Sequence, residues 1–539
     1  MKIERINSYN DNRFKQNVLN QHGAFLVDDI HICEIEVISE FEAIVRIDEN
    51  VDSMKLIEEF RYYAEHINVF YDTKKNVIKK YEAQLVFWLD IAKIHPSQLY
   101  ISKEKIDAVS TFINTEKDII VPVAKQDNKY ILLDGHTRVY YAHQKKFKKV
   151  KCFLAKHDDA INRFVCEAEN RRIYSISDMT LLEHDDYDKK WIGLCDIINR
   201  ETGPKKLVLL LDMYGCPNRC LHCWIGHTPN KKMDLDSDSK MVNYFKPFFD
   251  EIEFYSWTRE PDYASDYEKR WLRDNEISIN SKPKRFELAS FYRIVRDSSY
   301  VKFLKNVGTK VVQLTFFGLE NNTDKFVGRK GAFKELLQAT NILIENEIAP
   351  RFQVFINKEN INEIVDLLNL TKELNIVERC NSFNQDFKFF VHEGSPDGEN
   401  RKLIDIRIDK EDIPLELIPY FLDYQELYTE SEIIEMYTND NSFMKYEYQD
   451  EMILYISNDY NVFYNFTEMT SKWKIGNIIE DDKDELINRL FNMDIVAIKV
   501  AEKTPISFLI KTYGNCNSHK AFFKKDYLHY LLLQHLDKL

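Results

Sequence analysis

Cys216, Cys220 and Cys223 follow one another in the pattern C-x3-C-x2-C, directly after the apolar run Leu207-Val-Leu-Leu-Leu-Asp-Met213. A loop leaving the end of a buried strand turns thiolates so spaced toward one point, and each is a soft ligand suited to zinc, copper(I) or an iron-sulfur cluster. A four-iron cluster held by three cysteines leaves one iron without a protein ligand. An open position of this kind is what separates a catalytic metal from a structural one. The plainer alternative is a structural zinc with His222 or His227 as fourth ligand. Such sites bring their ligands in two separated pairs, and no second pair follows here. Cys33, Cys152, Cys166, Cys195, Cys380 and Cys516 stand singly, as small buried hydrophobes do.

Downstream the chain alternates between two periods. Ile252-Glu-Phe-Tyr-Ser-Trp257, Val311-Val-Gln-Leu-Thr-Phe-Phe-Gly318, Phe352-Gln-Val-Phe-Ile356 and Lys388-Phe-Phe-Val391 read as strands. Between them, Leu336, Ala339 and Leu343 share one helical face, and a helix starting at Asn362 carries Ile364, Leu367 and Leu368 at i, i+3 and i+4. Strand and amphipathic helix in alternation is the rhythm of a parallel α/β sheet or barrel. Val391-His-Glu-Gly-Ser-Pro-Asp-Gly-Glu-Asn400 groups a histidine, carboxylates and glycines after one of these strands. It is expected either at the C-terminal mouth of the barrel or as a polar turn.

The cysteine spacing, with His222 at the position usually aromatic, resembles the signature of the radical SAM superfamily. Thr258-Arg-Glu-Pro261 stands where that family has a Gly-Gly-Glu-Pro segment after the second strand. The resemblance implies a partial (β/α)6 barrel with a [4Fe-4S] cluster on Cys216, Cys220 and Cys223. It also implies S-adenosylmethionine contacted by His222, Glu260 and Thr315, with Glu260 gripping the methionine ammonium. The expected chemistry is one-electron cleavage of S-adenosylmethionine to methionine and a 5′-deoxyadenosyl radical that abstracts hydrogen from a small-molecule or peptide substrate. A flavodoxin- or ferredoxin-type protein would supply the electron. Thr258 and Arg259 replace the usual glycines, so the backbone there approaches a ligand less closely. Arg259 is expected either to meet substrate or cofactor or to lie solvated at the surface. Trp473-Lys-Ile-Gly-Asn477 is similar to a strand that closes many peptide-modifying members. Those members carry further clusters, whereas only Cys516 follows here.

Upstream, Ile131-Leu-Leu-Asp-Gly-His-Thr-Arg138 reads as a strand, a turn and the start of a helix running from Val139 to Lys146. Aspartate and glycine at such a turn, then histidine, a hydroxyl and arginine, suit an anion at a helix N-terminus. An ordinary capped turn is the alternative. With Asp90-Ile-Ala-Lys-Ile-His-Pro-Ser-Gln-Leu99, the segment resembles the ParB/sulfiredoxin-like superfamily, an α+β fold. The resemblance implies nucleotide or phospho-ligand binding, with Mg²⁺, by Asp134, Gly135, His136, Thr137 and Arg138. Free-serine kinase relatives have a second histidine where Thr137 stands and a glutamate near Gln98; a glutamine cannot act as general base. The turn also lacks the sulfiredoxin cysteine.

The breaker Thr202-Gly-Pro204 marks the expected boundary between these halves. The expected organisation is an α+β segment over 1–84 packing on a ParB-like unit at 85–200, a radical SAM core over 205–400 and a closing extension over 401–539. Phe60-Arg-Tyr-Tyr-Ala-Glu-His66 reads as part of an amphipathic helix, with Arg61 and His66 either within reach of a ligand or, as is commoner for a lone histidine on a helix, structural. At 539 residues two or more domains are expected. A formal net charge of −14 argues against general affinity for nucleic acid or anionic membrane. It also argues against the rival reading, a ParB-type nucleic-acid-binding protein with structural cysteines, which needs a basic helix-turn-helix. A bifunctional kinase-like and radical enzyme is the other rival. No apolar run approaches the length of a membrane span, and nine cysteines without a secretion signal suit a reducing, cytoplasmic setting.

Overall fold

The structure is a computed structural model that describes residues 2–539 apart from 48–50, 63, 127–128, 158–159, 224, 228, 449 and 465–467. The chain divides into two compact units, Met1–Glu201 with Lys246–Phe248, and Thr202–Phe245 with Phe249–Leu539.

In the first unit, six strands run in sequence order in one sheet, from Ile3–Arg5 to Val77–Lys80. Alternate residues of those strands, Phe25, Cys33, Ile35, Ala43 and Phe70, meet Leu56, Ile57 and Phe60 of the helix Ser53–Arg61. The helix expected to carry His66 therefore stops short of it. Asp52 caps its start through Met54 N–H at 3.0 Å, and a turn from Ala64 to Ile67 follows its end. A second, mixed sheet has the order Val86–Asp90, Lys149–Leu154, Ile120–Gln126, Lys129–Leu132, Ile94–Pro96. The two parts meet within this unit: Lys151 Nζ bonds Glu40 at 2.6 Å, and the His66 ring lies 4.9 Å from that of Phe153.

The second unit holds six parallel strands, hydrogen-bonded as two separate groups of three among the described residues. Glu251–Tyr255, Lys206–Leu211 and Glu451–Ile456 form one group, with Lys206–Leu211 central and parallel to both neighbours. Val311–Phe316, Ala349–Phe355 and Lys388–His392 form the other. The expectation of a single partial barrel thus meets two parallel sheets facing a common interior. The hairpin Asn461–Tyr464 and Lys474–Asn477 extends the first sheet antiparallel, with Trp473 fully buried just before its second strand. Ala332–Glu345 buries Leu336, Ala339 and Leu343 as their spacing predicts. The helix expected to begin at Asn362 begins at Ile361 instead. Asn360 precedes it, and its amide bonds the carbonyls of Phe317 at 3.0 Å and Phe355 at 2.8 Å, tying adjacent strand ends together. Among the described residues no helix is long and apolar enough to cross a membrane.

Asp274, in the helix Tyr267–Ile277, is 1% exposed. Its Oδ2 accepts from Ser256 N–H and Oγ–H, both at 3.0 Å. Burial lifts this carboxyl to about 7. From the ordinary carboxylate range up to about 7 the folded chain then binds more protons here than the unfolded one, so this residue's contribution to stability falls as pH rises through that window. Asp274→Asn removes the titration. The unfolding midpoint of the variant is expected to gain on the parent between pH 5 and pH 8; a gap independent of pH would assign the carboxyl an ordinary pKa.

Candidate functional site

The facing sheets of the second unit enclose a cavity of about 1010 Å³ that the three cysteines, His222, Glu260 and Thr315 all line. The cysteine loop is held there by its backbone. Arg219 N–H donates to Val327 O at 3.2 Å and Leu221 N–H to Phe326 O at 2.8 Å, at the end of the helix Glu320–Val327. On the other side, Cys216 N–H donates to Asn230 Oδ1 at 3.1 Å and the Asn230 amide returns a bond to Cys216 O at 2.9 Å. Gly215, at φ +95°, brings the chain so close to Asn230 that a Cβ would stand 2.3 Å from its Oδ1, so only glycine fits.

Burial pushes all three thiols above the ordinary cysteine range, and the Cys216 and Cys220 thiols are raised further by the neighbouring thiols and by Glu260. Among the described residues, the side chains do not already form a closed group of three metal ligands. In donor chemistry the set fits an iron-sulfur cluster: three soft sulfur donors from one loop line one cavity, and loading would displace their protons. Glu260 Oε2 lies 4.0 Å from Cys216 Sγ, while its Oε1 has no hydrogen-bond partner. A buried carboxylate oxygen left in this way suits an incoming ammonium.

His222 packs against the stacked pair Phe317 and Phe355, 4.6 Å and 4.4 Å away, ring centre to ring centre. Thr315 is joined to a line of polar side chains that crosses the second sheet. Thr315 Oγ1 donates to Gln353 Oε1 at 3.1 Å, Gln313 Nε2 donates to the same oxygen at 2.6 Å, and Gln353 Nε2 lies 2.9 Å from His392 Nε2. Arg259 lines the cavity and is not solvated. Its Nη2 pairs with Asp212 Oδ2 at 2.9 Å, the two side chains being 3% and 4% exposed. Glu287, whose backbone carbonyl accepts from Gln313 N–H at 2.7 Å, is engaged through its side chain by Arg351. The segment from His392 to Asn400 contributes His392, Glu393, Gly394, Ser395, Asp397 and Asn400 to the cavity, so it is more than a surface turn. Sequence reasoning missed Gln313, Gln353 and Asp526. Only the alternation of polar residues in Val311–Phe316 and Ala349–Phe355 hinted at the first two.

In the first unit, the strand Lys129–Leu132 leads through Gly135 into the helix His136–Gln144. Gly135 has φ +83°, and a Cβ there would stand 2.6 Å from Val121 Cγ1. Arg138 Nη2 bonds Asp134 Oδ2 at 3.1 Å, with the two side chains 23% and 39% exposed, so solvent reaches the pair. His136 turns inward, where its Nε2 accepts from Ser97 N–H at 3.1 Å, and burial lowers its pKa to about 4. Thr137 is half-buried on the first turn of the helix. Gln98 is a structural donor, giving its amide hydrogens to Tyr100 O at 2.6 Å and Tyr187 Oη at 3.2 Å. Two residues far off in sequence gather near this turn. Tyr9 Oη lies 3.3 Å from His22 Nε2, and burial, then the charge of Arg138, lowers His22 to about 4.

The family match falls in the second unit. Residues 210–371 match the radical SAM superfamily model. A stretch of 180 residues, 33% of this chain, is 33% identical to Fe-coproporphyrin III synthase of Methanosarcina barkeri (strain Fusaro / DSM 804). The match spans 43% of that curated relative, less than half its length. Among solved structures, Streptococcus suis SuiB bound to its precursor peptide SuiA is similar over 67% of this chain and 80% of that one, at 13% identity and TM-score 0.33. Native anSMEcpe with bound AdoMet is similar over 62% and 99%, at 13% identity and TM-score 0.33. Protein Atu1540 of Agrobacterium tumefaciens is similar over 18% of this chain and 61% of that one, at 18% identity and TM-score 0.14. The cysteine loop, Glu260 and Thr315 all fall inside the matched segment: residues 210–371 of this chain are a radical SAM superfamily domain.

Proposed function

We propose that the chain is a radical SAM enzyme in which Cys216, Cys220 and Cys223 hold a [4Fe-4S] cluster and the adjoining cavity takes S-adenosylmethionine and substrate. The observation that carries this reading is that all three thiols, Glu260 and Thr315 line one cavity of about 1010 Å³. When bound and reduced, the cluster supplies the electron that cleaves S-adenosylmethionine into methionine and a 5′-deoxyadenosyl radical. The chain's own residues bind and orient. Glu260 receives the methionine ammonium, Thr315 and Gln353 offer a hydroxyl and an amide to the ribose, and His222 forms an apolar wall with Phe317 and Phe355. The substrate is a small molecule or a peptide, and a flavodoxin- or ferredoxin-type donor supplies the electron. The test is anaerobic reconstitution with iron and sulfide, followed by dithionite and S-adenosylmethionine. Release of 5′-deoxyadenosine and methionine is expected, and stoichiometric zinc with no cleavage would overturn the reading.

The turn at Asp134-Gly-His-Thr-Arg138 is read as a ParB-like site for a nucleotide or phospho-ligand. Backbone N–H groups at the helix start and the solvent-reached Arg138 are its donors; Asp134 is the carboxylate placed to meet Mg²⁺. An incoming phosphate competes with Asp134 for Arg138, so Mg²⁺ on Asp134 and phosphate on Arg138 are expected to bind together. In a thermal-shift series on the full chain with ATP, O-phosphoserine and inorganic phosphate, each with and without Mg²⁺, at least one ligand should raise the melting temperature. Arg138→Ala should weaken that ligand about tenfold, the size of one charge-assisted contact, while iron loading stays unchanged. No shift with any ligand would make the domain a docking module.

A further inference from the structure

The cavity of the second unit has a carboxylate-rich corner that neither the cysteine loop nor the cofactor residues use. Glu393 directly follows the strand Lys388–His392, Asp397 lies in the turn beyond it, and Asp526 sits in the first turn of the helix Lys524–Lys538. All three line the cavity. Glu393 is 6% exposed; its Oε1 accepts from Arg407 at 3.0 Å, while its Oε2 is buried without a hydrogen-bond partner.

Arg407 is the only buried cation at this corner among the described residues, and it is fully committed. It donates to Ala521 O at 2.6 Å and Gly394 O at 2.7 Å, and its guanidinium lies 4.1 Å from the centre of the Phe522 ring. The neighbouring cations do not balance the remainder: Lys525 is exposed, and Arg401 pairs with Asp537 at 3.0 Å and Glu468 at 3.6 Å. Burial, and after it the charge of Asp526, lifts Asp397 to about 7; burial lifts Glu393 likewise to about 7 against the pull of Arg407. Buried carboxylates in excess of their cations are costly, and a cation that arrives with its ligand relieves that cost.

We propose, resting on the radical SAM reading, that Glu393, Asp397 and Asp526 hold a cationic nitrogen of the substrate, an alkylammonium or guanidinium such as a lysine or arginine side chain bears. The unpartnered Glu393 Oε2 accepts one N–H of that group and the two aspartates accept others. Substrates are thereby selected for positive charge.

The test measures binding to the full-length protein by calorimetry, with and without S-adenosylmethionine. The probes are N-acetyl-lysine methylamide, N-acetyl-arginine methylamide and the neutral N-acetyl-norleucine methylamide. One cation or both should bind about tenfold or more tightly than the neutral probe, and Asp397→Asn and Asp526→Asn should each remove most of that preference. Equal or absent binding of all three overturns the proposal, as does a preference unchanged in both variants. Displacement of the cation by S-adenosylmethionine also overturns it, because the corner would then serve the cofactor. If a variant does not fold, the other decides, and the contrast between probes on the parent stands by itself. Iron content and 5′-deoxyadenosine release are read on the same preparations. A chain that cleaves S-adenosylmethionine without discriminating charge loses only this proposal; one that discriminates charge but loads no iron loses only the reading it rests on.

Discussion

Replacing Cys216, Cys220 or Cys223 by alanine is expected to reduce iron in the anaerobically reconstituted protein from about four per chain, the content of a Cys-ligated cubane, to near zero. The loop has little to compensate with. His227 Nε2 lies 2.8 Å from Cys220 O, and His222 packs against the stacked pair Phe317 and Phe355, so neither imidazole is free to replace a thiol without breaking those contacts. Iron and sulfide analysis with the visible absorbance checks this. Because backbone bonds to Phe326, Val327 and Asn230 tie the loop independently of the thiols' own weak contacts, the variants should keep the parent's far-ultraviolet circular dichroism. Full iron retention in any one of them removes that cysteine from the cluster.

Glu260→Gln is expected to keep the cluster and to weaken S-adenosylmethionine about tenfold to a hundredfold, since a hydrogen bond to a charged group contributes about 1.5–3 kcal/mol. Glu260 Oε1 has no hydrogen-bond partner in the chain, so most of the loss should appear in binding rather than in folding. Titration calorimetry on the reconstituted protein measures it. Unchanged affinity would move the ammonium contact away from Glu260. Glu287 is a poor substitute, because Arg351 already engages it.

Much of the second unit is legible from local pattern. The cysteine spacing places a ligand loop at a strand end, and a helical period assigns Leu336, Ala339, Leu343, Ile364, Leu367 and Leu368 to the core, where all six are buried. These features depend on neighbours a few residues apart, which a linear pattern records. Helix limits were less legible. Asn360 caps no helix with its side chain but ties two strand ends, and the helix before His66 ends at Arg61. In both cases contacts with another part of the chain overrule a local propensity.

The rest depends on chain segments that meet only after folding. Nothing in Glu451–Ile456 says that it lies parallel to Lys206–Leu211, so that residues near the C-terminus wall the same cavity as the cysteines. Arg259 reads equally as a ligand contact or a surface residue until Asp212, in the turn after the first strand, is brought against it at 2.9 Å and both side chains are buried. Gln313, Gln353 and His392 have the alternation of a solvent-facing strand side because the face they occupy opens on a cavity, and period two does not distinguish a wet interior from a surface. Asp526 reads as an ordinary acidic residue in a helix's first turn, where the macrodipole favours it. Its place beside Glu393 and Asp397 follows from where that helix packs. Spacing therefore names the residues that can ligate and the elements that carry them, while long-range strand pairing and helix packing choose which charges share a wall.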